Sequence, residues 1–206
     1  MFTYHYSQPA DYHFSLDSIA FAEFIAAELT SYPNLSALKL LDLCAGCGVI
    51  GMELSYYLPQ LQNLHFVEIQ EDYLPHFKKN VAIINRPEVS YTLHHMNYEH
   101  LTHSEWSNYF DIIVSNPPYF PAHVGTYSPS TFKNRCRFFL DSTFTQFILA
   151  MKNALAPKGR AYFLLRNLQQ HKIDLFKEVK KNLADSNVHA RLIGGVRGTQ
   201  VVQLIN

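Results

Sequence analysis

The segment Leu40 to Gly51, LLDLCAGCGVIG, constrains the fold more than any other part of this 206-residue chain. The apolar run Leu38 to Cys44 has the length of a strand and leads into Gly46 and Gly48, after which VIGMELSYYL continues with helical periodicity. A strand, a glycine-bearing turn and a helix in this order form the first unit of a Rossmann-type sheet, in which ligands bind beyond the C-terminal ends of the strands. The segment therefore predicts an α/β fold with a ligand site at this turn.

The rest of the chain repeats the alternation of strand and helix. Further strands are predicted at Asn63 to Ile69, Val89 to Leu93, Phe110 to Val114, Arg160 to Leu165, Val188 to Ile193 and Thr199 to Ile205. Helices are predicted at Asp17 to Leu29, Val49 to Leu58, Gln70 to Asn85, Leu140 to Leu155 and Gln169 to Leu183. This alternation implies a mostly parallel seven-stranded sheet with helices on both faces, closed by an antiparallel hairpin through the GGVRG turn. The long stretch without clear periodicity, Ser115 to Phe138, is predicted to be a functional or disordered loop.

Composition favours one globular domain. The chain is 48% apolar, which argues against disorder, and its 17 basic and 17 acidic side chains give no net charge. The long-range attraction typical of strongly basic nucleic-acid binders is therefore absent, although a local basic patch is compatible with these numbers. The N-terminal MFTYHYSQPADYHFS lacks a signal-peptide pattern and no run of about 18 apolar residues occurs, so we expect a cytoplasmic protein that does not contact membranes.

The cysteines leave two interpretations of the glycine turn to compare. Cys44 and Cys47 form a C-x-x-C pair, which is typical of a redox dithiol or of half a zinc site. Zinc needs four ligands, and Cys136 is the only further thiol, so the remaining ligands would have to come from scattered histidines. We therefore expect free thiols and no metal.

The residues around the turn indicate the kind of ligand. Glu68 ends the second predicted strand, about 20 residues past the turn, in the position of an acidic residue that binds ribose hydroxyls. Asp42 precedes the turn in the pattern D-x-C-x-G-x-G, which resembles the S-adenosylmethionine (SAM) turn D/E-x-G-x-G-x-G of class I methyltransferases. A carboxylate at this position suits a ligand with an ammonium and a sulfonium group, whereas it would repel a pyrophosphate.

This resemblance implies the Rossmann-like class I methyltransferase fold, as a single SAM-dependent domain over residues 1–206. The cofactor contacts that it implies are Asp42, Cys44, Ala45, Gly46, Glu68, Ile69, Asn97 and Tyr98. Cys44 replaces the first glycine of the family pattern, and a small side chain can be tolerated there if the backbone φ is negative. Asn97 stands where the family commonly has an Asp that contacts adenine. Its amide oxygen is a weaker, uncharged acceptor, and an ordinary loop Asn is the alternative interpretation.

The segment Asp111 to Phe120, DIIVSNPPYF, is the most informative one for chemistry. An apolar strand runs into Asn116, Pro117, Pro118 and Tyr119, which resemble the N-P-P-Y motif of class I methyltransferases that act on amino groups conjugated to a planar system. The resemblance implies that these four residues are catalytic. A strand that ends in an ordinary proline-rich turn with an aromatic cover is the alternative.

The chemistry of a conjugated amine explains these residue types. Its lone pair is delocalised into the π system, so it reacts only when the lone pair is localised on nitrogen. The side-chain oxygen of Asn116 and the main-chain carbonyl of Pro117 are two acceptors for the two N–H groups, and the prolines stiffen the turn. Tyr119 offers a flat surface, on which stacking of a base contributes about 1–3 kcal/mol. Positioning and electrostatics then suffice without a side-chain base.

The remaining predictions concern the substrate. The resemblance is greatest to the bacterial tRNA(Val) adenine-N6 methyltransferase family, which implies an RNA partner, in particular tRNA, and a helical segment over residues 1–35 that covers the active site. Asp17 lies in a segment of that family near the active site, although Asp17 or Ser15 could equally cap a helix. The segment KNRCR offers Lys133, Arg135 and Arg137 as cations for phosphates, or forms a solvated loop. Phe120 and Phe132 are expected to line the base pocket, whereas Phe138 and Phe139 fit either the pocket or the core.

Four other functions share some of these features. Release-factor glutamine methyltransferases share N-P-P-Y but carry a helical domain before the SAM domain, and the roughly 40 residues before Asp42 here are too few for it. DNA adenine methyltransferases usually need a target-recognition domain, which the length of this chain also disfavours. Ribosomal RNA guanine-N2 methyltransferases tend to have Phe at the position of Tyr119. A SAM-binding scaffold that needs a partner subunit is the alternative of another class, and a concentrated positive face around Tyr119 would argue against it. The sequence does not determine the oligomeric state.

Overall fold

A computed structural model describes residues 3–14, 16–122 and 124–206 of the chain. The helices are α1 (Leu16–Leu29), α2 (Val49–Tyr57), α3 (Leu74–Ile84), α4 (Thr131–Arg137), α5 (Phe144–Ala154) and α6 (Leu175–Leu183). The strands are β1 (Lys39–Leu43), β2 (Asn63–Glu68), β3 (Ser90–His95), β4 (Phe110–Ser115), β5 (Phe120–Pro121), β6 (Phe138–Phe139), β7 (Leu155–Leu165), β8 (His189–Val196) and β9 (Thr199–Ile205). Short 3₁₀ helices lie at Leu35–Ala37, Glu71–Tyr73, Tyr98–Thr102, Ser104–Trp106 and Gln169–His171.

Seven strands of the described ranges form one sheet, in the order β3-β2-β1-β4-β7-β9-β8. The first five of these strands pair in parallel, and β9 runs antiparallel between β7 and β8. The order of the strands reverses between β1 and β4, and ligands of open α/β sheets bind at such a reversal, beyond the carboxyl ends of the strands. The predicted α/β fold with its C-terminal antiparallel hairpin is confirmed.

Successive residues of the central strands point to opposite faces of the sheet and enter separate cores. Leu40 and Ile112 pack with α1, α2 and α3 on one face. Leu41 and Ile113 pack with α5 and α6 on the other. Most of these strand residues are fully buried, as expected for a sheet that helices cover on both sides. Complete burial of a large side chain such as Phe147 contributes about 1.5–3 kcal/mol.

Several predicted boundaries differ from the structure for local reasons. Helix α6 begins at Leu175 instead of Gln169, because Lys172 has a left-handed φ of 58° and Asp174 caps the helix by accepting from Lys177 N at 2.9 Å. Helix α5 begins at Phe144 instead of Leu140, because Thr143 and Gln146 form a reciprocal capping box.

The stretch predicted as a loop, Ser115 to Phe138, contains regular structure. Strands β5 and β6 pair in parallel, and helix α4 lies between them. The side chain of Asn134 is buried and bonds to the backbone of Ser128 in both directions, which holds the approach to α4 in place. Among the helices of the described ranges, none combines the length and the apolar character needed to span a lipid bilayer.

Candidate active site

A cleft opens at the carboxyl ends of β1, β2 and β4, where the strand order reverses, and it has about 1100 Å³ of empty space when the part open to solvent is included. The predicted residues that line it are Cys44, Ala45, Gly46, Glu68, Ile69, Asn97, Tyr98, Asn116, Pro117, Pro118, Tyr119 and Arg135. The predicted residues that do not line it are Asp17, Asp42, Phe120, Lys133 and Arg137. The fold therefore brings the glycine turn and the N-P-P-Y segment to one cavity, although they are far apart in sequence.

Three residues of the glycine turn have positive φ angles. Cys44, Gly46 and Gly48 have φ values of 58°, 55° and 86°. Cys44 therefore does not have the negative φ under which a side chain is easily tolerated, and a residue other than glycine in this region costs on the order of 1–2 kcal/mol. Gly48 has no room for a side chain either, because a Cβ would lie 2.9 Å from atoms of Met52 and Phe77. Burial raises the pKa of the Cys44 thiol, so the residue stays a neutral wall of the cleft.

Glu68 connects the end of β2 to the turn. Its two carboxylate oxygens accept from Gly46 N and from Gln70 N, each at 2.8 Å. Burial raises the pKa of this carboxyl, and the backbone N–H groups oppose the rise. Each oxygen keeps a lone pair that can accept from a ribose hydroxyl.

Asp42 lies behind the turn, outside the lining of the cleft. It is completely buried, and its Oδ2 accepts from Gly51 N at 2.9 Å. Burial raises the pKa of this carboxyl well above its usual value. Its Oδ1, and the buried Oε1 of the cleft residue Gln70, find no hydrogen-bond partner among the described residues. Of these two residues only Gln70 lines the cleft, so its Oε1 suits a ligand with hydrogen-bond donors, and SAM brings an ammonium, ribose hydroxyls and an adenine amino group.

Asn97 and Tyr98 are held by the chain that follows β6. Asn97 Oδ1 accepts from Glu99 N at 2.9 Å, and its Nδ2 donates to Asp141 O at 3.0 Å. Tyr98 donates to Thr143 O at 3.2 Å. Asn97 therefore caps a 3₁₀ helix, and its oxygen retains one lone pair for an adenine amino group.

The side chain of Asn116 has a defined orientation in the cleft. Its Nδ2 donates to Ser18 Oγ at 3.1 Å, and its Oδ1 accepts from Tyr119 OH at 2.7 Å. Tyr119 N donates to Arg137 O at 3.0 Å, which ties the N-P-P-Y turn to the end of α4. Burial raises the pKa of the Tyr119 phenol, so this hydroxyl is a neutral donor near pH 7.

The predicted substrate residues have different surroundings. Asp17 accepts from Arg197 Nε at 3.0 Å and raises the pKa of Tyr119, so it lies near the cleft without lining it. Ser15, the alternative cap, lies outside the described residues. Arg135 is paired with Asp141 at 2.8 Å, which leaves it less available for a phosphate.

The other two cations of the KNRCR segment lie outside the cleft. The guanidinium of Arg137 lies 5.4 Å from the ring centroid of Phe138, whereas Lys133 has no ion pair within the described part of the chain. Phe120 does not reach the cleft, and neither does Phe132; Phe138 and Phe139 line it instead.

Several lining residues were not predicted from the sequence. They are Tyr12, Phe14, Ser18, Tyr73 and Cys136. Cys136 lies 3.2 Å from Tyr73 OH and accepts from Gln70 Nε2 at 3.4 Å. The unusual density of aromatic residues among the first 14 positions was the signal that could have identified Tyr12 and Phe14. Within the described ranges, no group of three or more His, Cys, Asp or Glu side chains is arranged to hold a metal.

Comparison with solved structures supports the assignment of the fold. The magnesium protoporphyrin IX methyltransferase of Synechocystis PCC 6803, solved with bound SAM, matches with a TM-score of 0.62 at 14% identity, over 93% of this chain and 80% of that one. The fold and the cleft define a Rossmann-like SAM-dependent methyltransferase domain. The chain belongs to the methyltransferase small domain family, whose model matches residues 14–187.

Two relatives resemble parts of the chain. The tRNA1(Val) (adenine(37)-N6)-methyltransferase of Proteus mirabilis is 30% identical over 92 residues, which are 45% of this chain and 36% of that protein. The release factor glutamine methyltransferase of Flavobacterium psychrophilum is 31% identical over 97 residues, 47% of this chain and 32% of that protein. The chain spans about a third of the length of each of these relatives.

Proposed function

We propose that this protein transfers a methyl group from SAM to the exocyclic N6 of an adenine in RNA, with tRNA as the substrate class. The observation that carries the proposal is the orientation of Asn116, whose amide nitrogen is bound to Ser18 and whose oxygen is directed to Tyr119 OH in a cleft shared with the glycine turn. Cofactor contacts are assigned to Glu68, Gly46 and Asn97. When bound, SAM supplies an electrophilic methyl group on a sulfonium.

The chain's own residues position the amine. Asn116 Oδ1 has two lone pairs, of which Tyr119 OH takes one, so the other is left for one N–H of the adenine amine. The main-chain carbonyl of Pro117 accepts the second N–H. These two bonds hold the nitrogen pyramidal with its lone pair directed away from the ring. The nitrogen becomes acidic as the new bond forms, so its proton passes to water and no side-chain base is needed.

The surroundings of Tyr119 favour RNA over a scaffold that lacks catalysis. The guanidinium carbon of Arg166 lies 5.7 Å from the Tyr119 ring centroid, and Arg137 contacts the same turn through its carbonyl. Arg197 lies next to Asp17 in the same region. Arg197 is ion-paired with Asp17, whereas Arg137 and Arg166 take part in no ion pair within the described residues, so positive charge exceeds negative charge in this region although the chain has no net charge. Phosphate binding depends on such local patches.

The test is incubation of the purified protein with labelled SAM and, separately, tRNA, total RNA and total protein, followed by nucleoside and amino-acid analysis. We expect labelled N6-methyladenosine in tRNA. Asn116→Ala should lower kcat at least a hundredfold with little change in SAM affinity, because the acceptor acts on the reacting amine. Asn182→Ala is the matched control, since Asn182 Nδ2 donates to Glu178 O on α6, away from the cleft.

The similarity to a release factor glutamine methyltransferase makes protein glutamine the second candidate. A glutamine carboxamide is also a conjugated amine with two N–H groups, so the same two acceptors fit it. Label in protein with none in RNA would establish that candidate, and N2-methylguanosine would indicate a ribosomal RNA substrate. SAM binding without transfer to any of the three fractions would support the scaffold.

A further inference from the structure

Another cavity lies at the same edge of the sheet as the proposed active site, with about 510 Å³ of empty space when the part open to solvent is included. It is formed where β7 ends, where β9 begins and where the chain approaches α6. Leu165 and Gln200 are paired in the sheet at its base, and both line it. Strand β7 adjoins β4, which leads into the N-P-P-Y turn, so the cavity is next to the cleft on the side of Tyr119.

Arg166 joins the two sites. It is the residue directly after β7, it lines this cavity, and its guanidinium carbon lies 5.7 Å from the ring centroid of Tyr119. The side chain is exposed, and within the described part of the chain it takes part in no ion pair. The guanidinium of Arg166 therefore lies between the cavity and the ring of Tyr119, which is proposed to contact the reacting base.

The wall of the cavity carries unused amide groups. Gln169 and Gln200 line it, and the side-chain amide of neither has a hydrogen-bond partner among the residues that the structure describes. Asn167 Oδ1 accepts from Gln169 N at 2.9 Å, which leaves its amide N–H groups available. Amide side chains present a donor and an acceptor side by side, and this pair matches the edge of a nucleobase.

The remaining lining residues suit a base better than a phosphate. Leu168 and Leu175 are buried and give the cavity an apolar floor. Asp174 also lines it, and one of its carboxylate oxygens accepts from Lys177 N. A carboxylate repels a phosphate inside the cavity but accepts from an amino group on a base edge. The charges therefore place a phosphate at Arg166 and an uncharged, hydrogen-bonding ring deeper in.

We propose that this cavity binds the base of the nucleotide next to the methylated adenine, while Arg166 binds the phosphate that joins the two nucleotides. The inference rests on the proposed RNA substrate and extends it, because it makes the protein selective for the base that flanks the target. An RNA base is accessible to such contacts when it is unstacked in a loop, as an anticodon loop allows.

The experiment uses labelled SAM and short oligoribonucleotides that contain a single adenine, with cytidine, guanosine and uridine placed in turn on either side of it. The wild-type protein should prefer one flanking nucleotide about tenfold in kcat/KM, which is the range of one bidentate base contact. Gln169→Ala and Gln200→Ala should each reduce this preference to about twofold or less. Gln170→Ala is the matched control, because Gln170 belongs to the same 3₁₀ helix but does not line the cavity.

Arg166→Gln tests the phosphate contact separately. It should lower kcat/KM on every oligonucleotide by a similar factor and reduce the slope of log binding constant against log salt concentration by about one. The inference is overturned if the wild-type protein methylates these RNAs without a flanking preference, or if Gln169→Ala and Gln200→Ala keep the preference of Gln170→Ala. If the wild-type protein methylates no RNA, the proposed function itself fails, and the flanking subsite fails with it.

Discussion

Asn116 owes its orientation to two hydroxyl groups from distant parts of the chain. Tyr119 lies three residues further on, within the motif, whereas Ser18 precedes Asn116 by 98 residues. An amide can rotate by half a turn and exchange its donor and acceptor ends. In the orientation observed, the Ser18 hydroxyl accepts from Nδ2 and the Tyr119 hydroxyl donates to Oδ1, and together they hold the amide in place. Ser18 is therefore a positioning residue for the proposed reaction.

Ser18→Ala should reduce kcat about two- to tenfold, the value of one hydrogen bond of roughly 0.5–1.5 kcal/mol, with little change in SAM affinity. Steady-state kinetics and calorimetric SAM titration measure the two quantities separately. Ser55→Ala is the control for loss of a buried serine, because Ser55 donates to Met52 O away from the cleft. An equal loss of kcat in both variants would assign the effect to general destabilisation and contradict the positioning role.

At this scale the sequence predicted the residues that belong to contiguous motifs and missed the rest. Asn116 and Gly46 follow from local patterns, whereas Ser18 reaches the site only through the packing of α1 against the sheet. The positive φ at Cys44 could not be read from the sequence, because a side chain other than glycine ordinarily avoids positive φ and the structure imposes it here. Phe120 was predicted to line the cleft, but the pairing of β5 with β6 places Phe138 and Phe139 there instead.

Among the elements, the N-terminal segment Thr3–Phe14 matters most for the cleft. Two buried polar residues anchor it: Glu53 on α2 accepts from Tyr6 OH and from Thr3 Oγ1, both at 2.7 Å, and Asn80 on α3 bonds to the backbone of Ser7 in both directions. Asn80 also donates to Cys47 O in the glycine turn at 3.0 Å. The segment is therefore attached to the turn as well as to the helices, and it brings Tyr12 and Phe14 to the cleft.

Tyr6→Phe should lower the free energy of unfolding by about 1–3 kcal/mol, because it removes one donor from a buried carboxylate. It should also weaken SAM binding, since the segment that contributes Tyr12 and Phe14 loses an anchor. Urea denaturation and SAM titration check the two effects. Tyr56→Phe is the matched control, as Tyr56 is 52% exposed and its hydroxyl makes no hydrogen bond within the described residues. Unchanged SAM affinity in a destabilised Tyr6→Phe variant would contradict the anchoring role.

Periodicity predicted the existence and type of the long elements but not their ends. The reciprocal bonds between Thr143 and Gln146 make α5 begin at Phe144. The residues just before the helix, 140–142, are therefore outside it and line the cleft. Helix α4 is short and was predicted as part of a loop. Its position depends on the buried Asn134 and on the pairing of the flanking strands, which periodicity does not reveal.

Across the whole molecule, the strand order is what makes a neutral chain locally cationic. Arg137, Arg166 and Arg197 come from the end of α4, the end of β7 and the hairpin between β8 and β9. The antiparallel insertion of β9 beside β7 brings that hairpin close to α1 and Tyr119. Net charge sums over the surface and carries no information on such clustering, so composition could exclude a strongly basic chain but could not predict the patch.

Global stability should depend on pH through two stacked histidines on β2 and β3. His65 Nδ1 and His94 Nε2 lie 3.0 Å apart, and their rings are parallel within 2°. Burial, together with the smaller effects of the charges of His94 and Lys39, lowers the pKa of His65 to about 4. Burial also lowers the pKa of His94. Both imidazoles are therefore neutral in the folded protein at pH values where the unfolded chain is protonated.

The unfolded chain binds more protons than the folded one between pH 6.5 and about 4, so the stability contributed by His65 is complete above pH 6.5 and is lost as the pH falls through this window. Partial solvent screening reduces the loss to on the order of 1–2 kcal/mol. His65→Gln should remove this loss of stability at low pH. His189 is an exposed histidine on β8, so His189→Gln should leave the loss unchanged. Urea denaturation at pH 7.5, 6 and 5 measures the difference between each variant and the wild type. We expect the difference in the free energy of unfolding between the wild type and His65→Gln to become smaller as the pH falls, because protons bind at the buried pair. If this difference is the same at all three pH values, the pH dependence arises elsewhere.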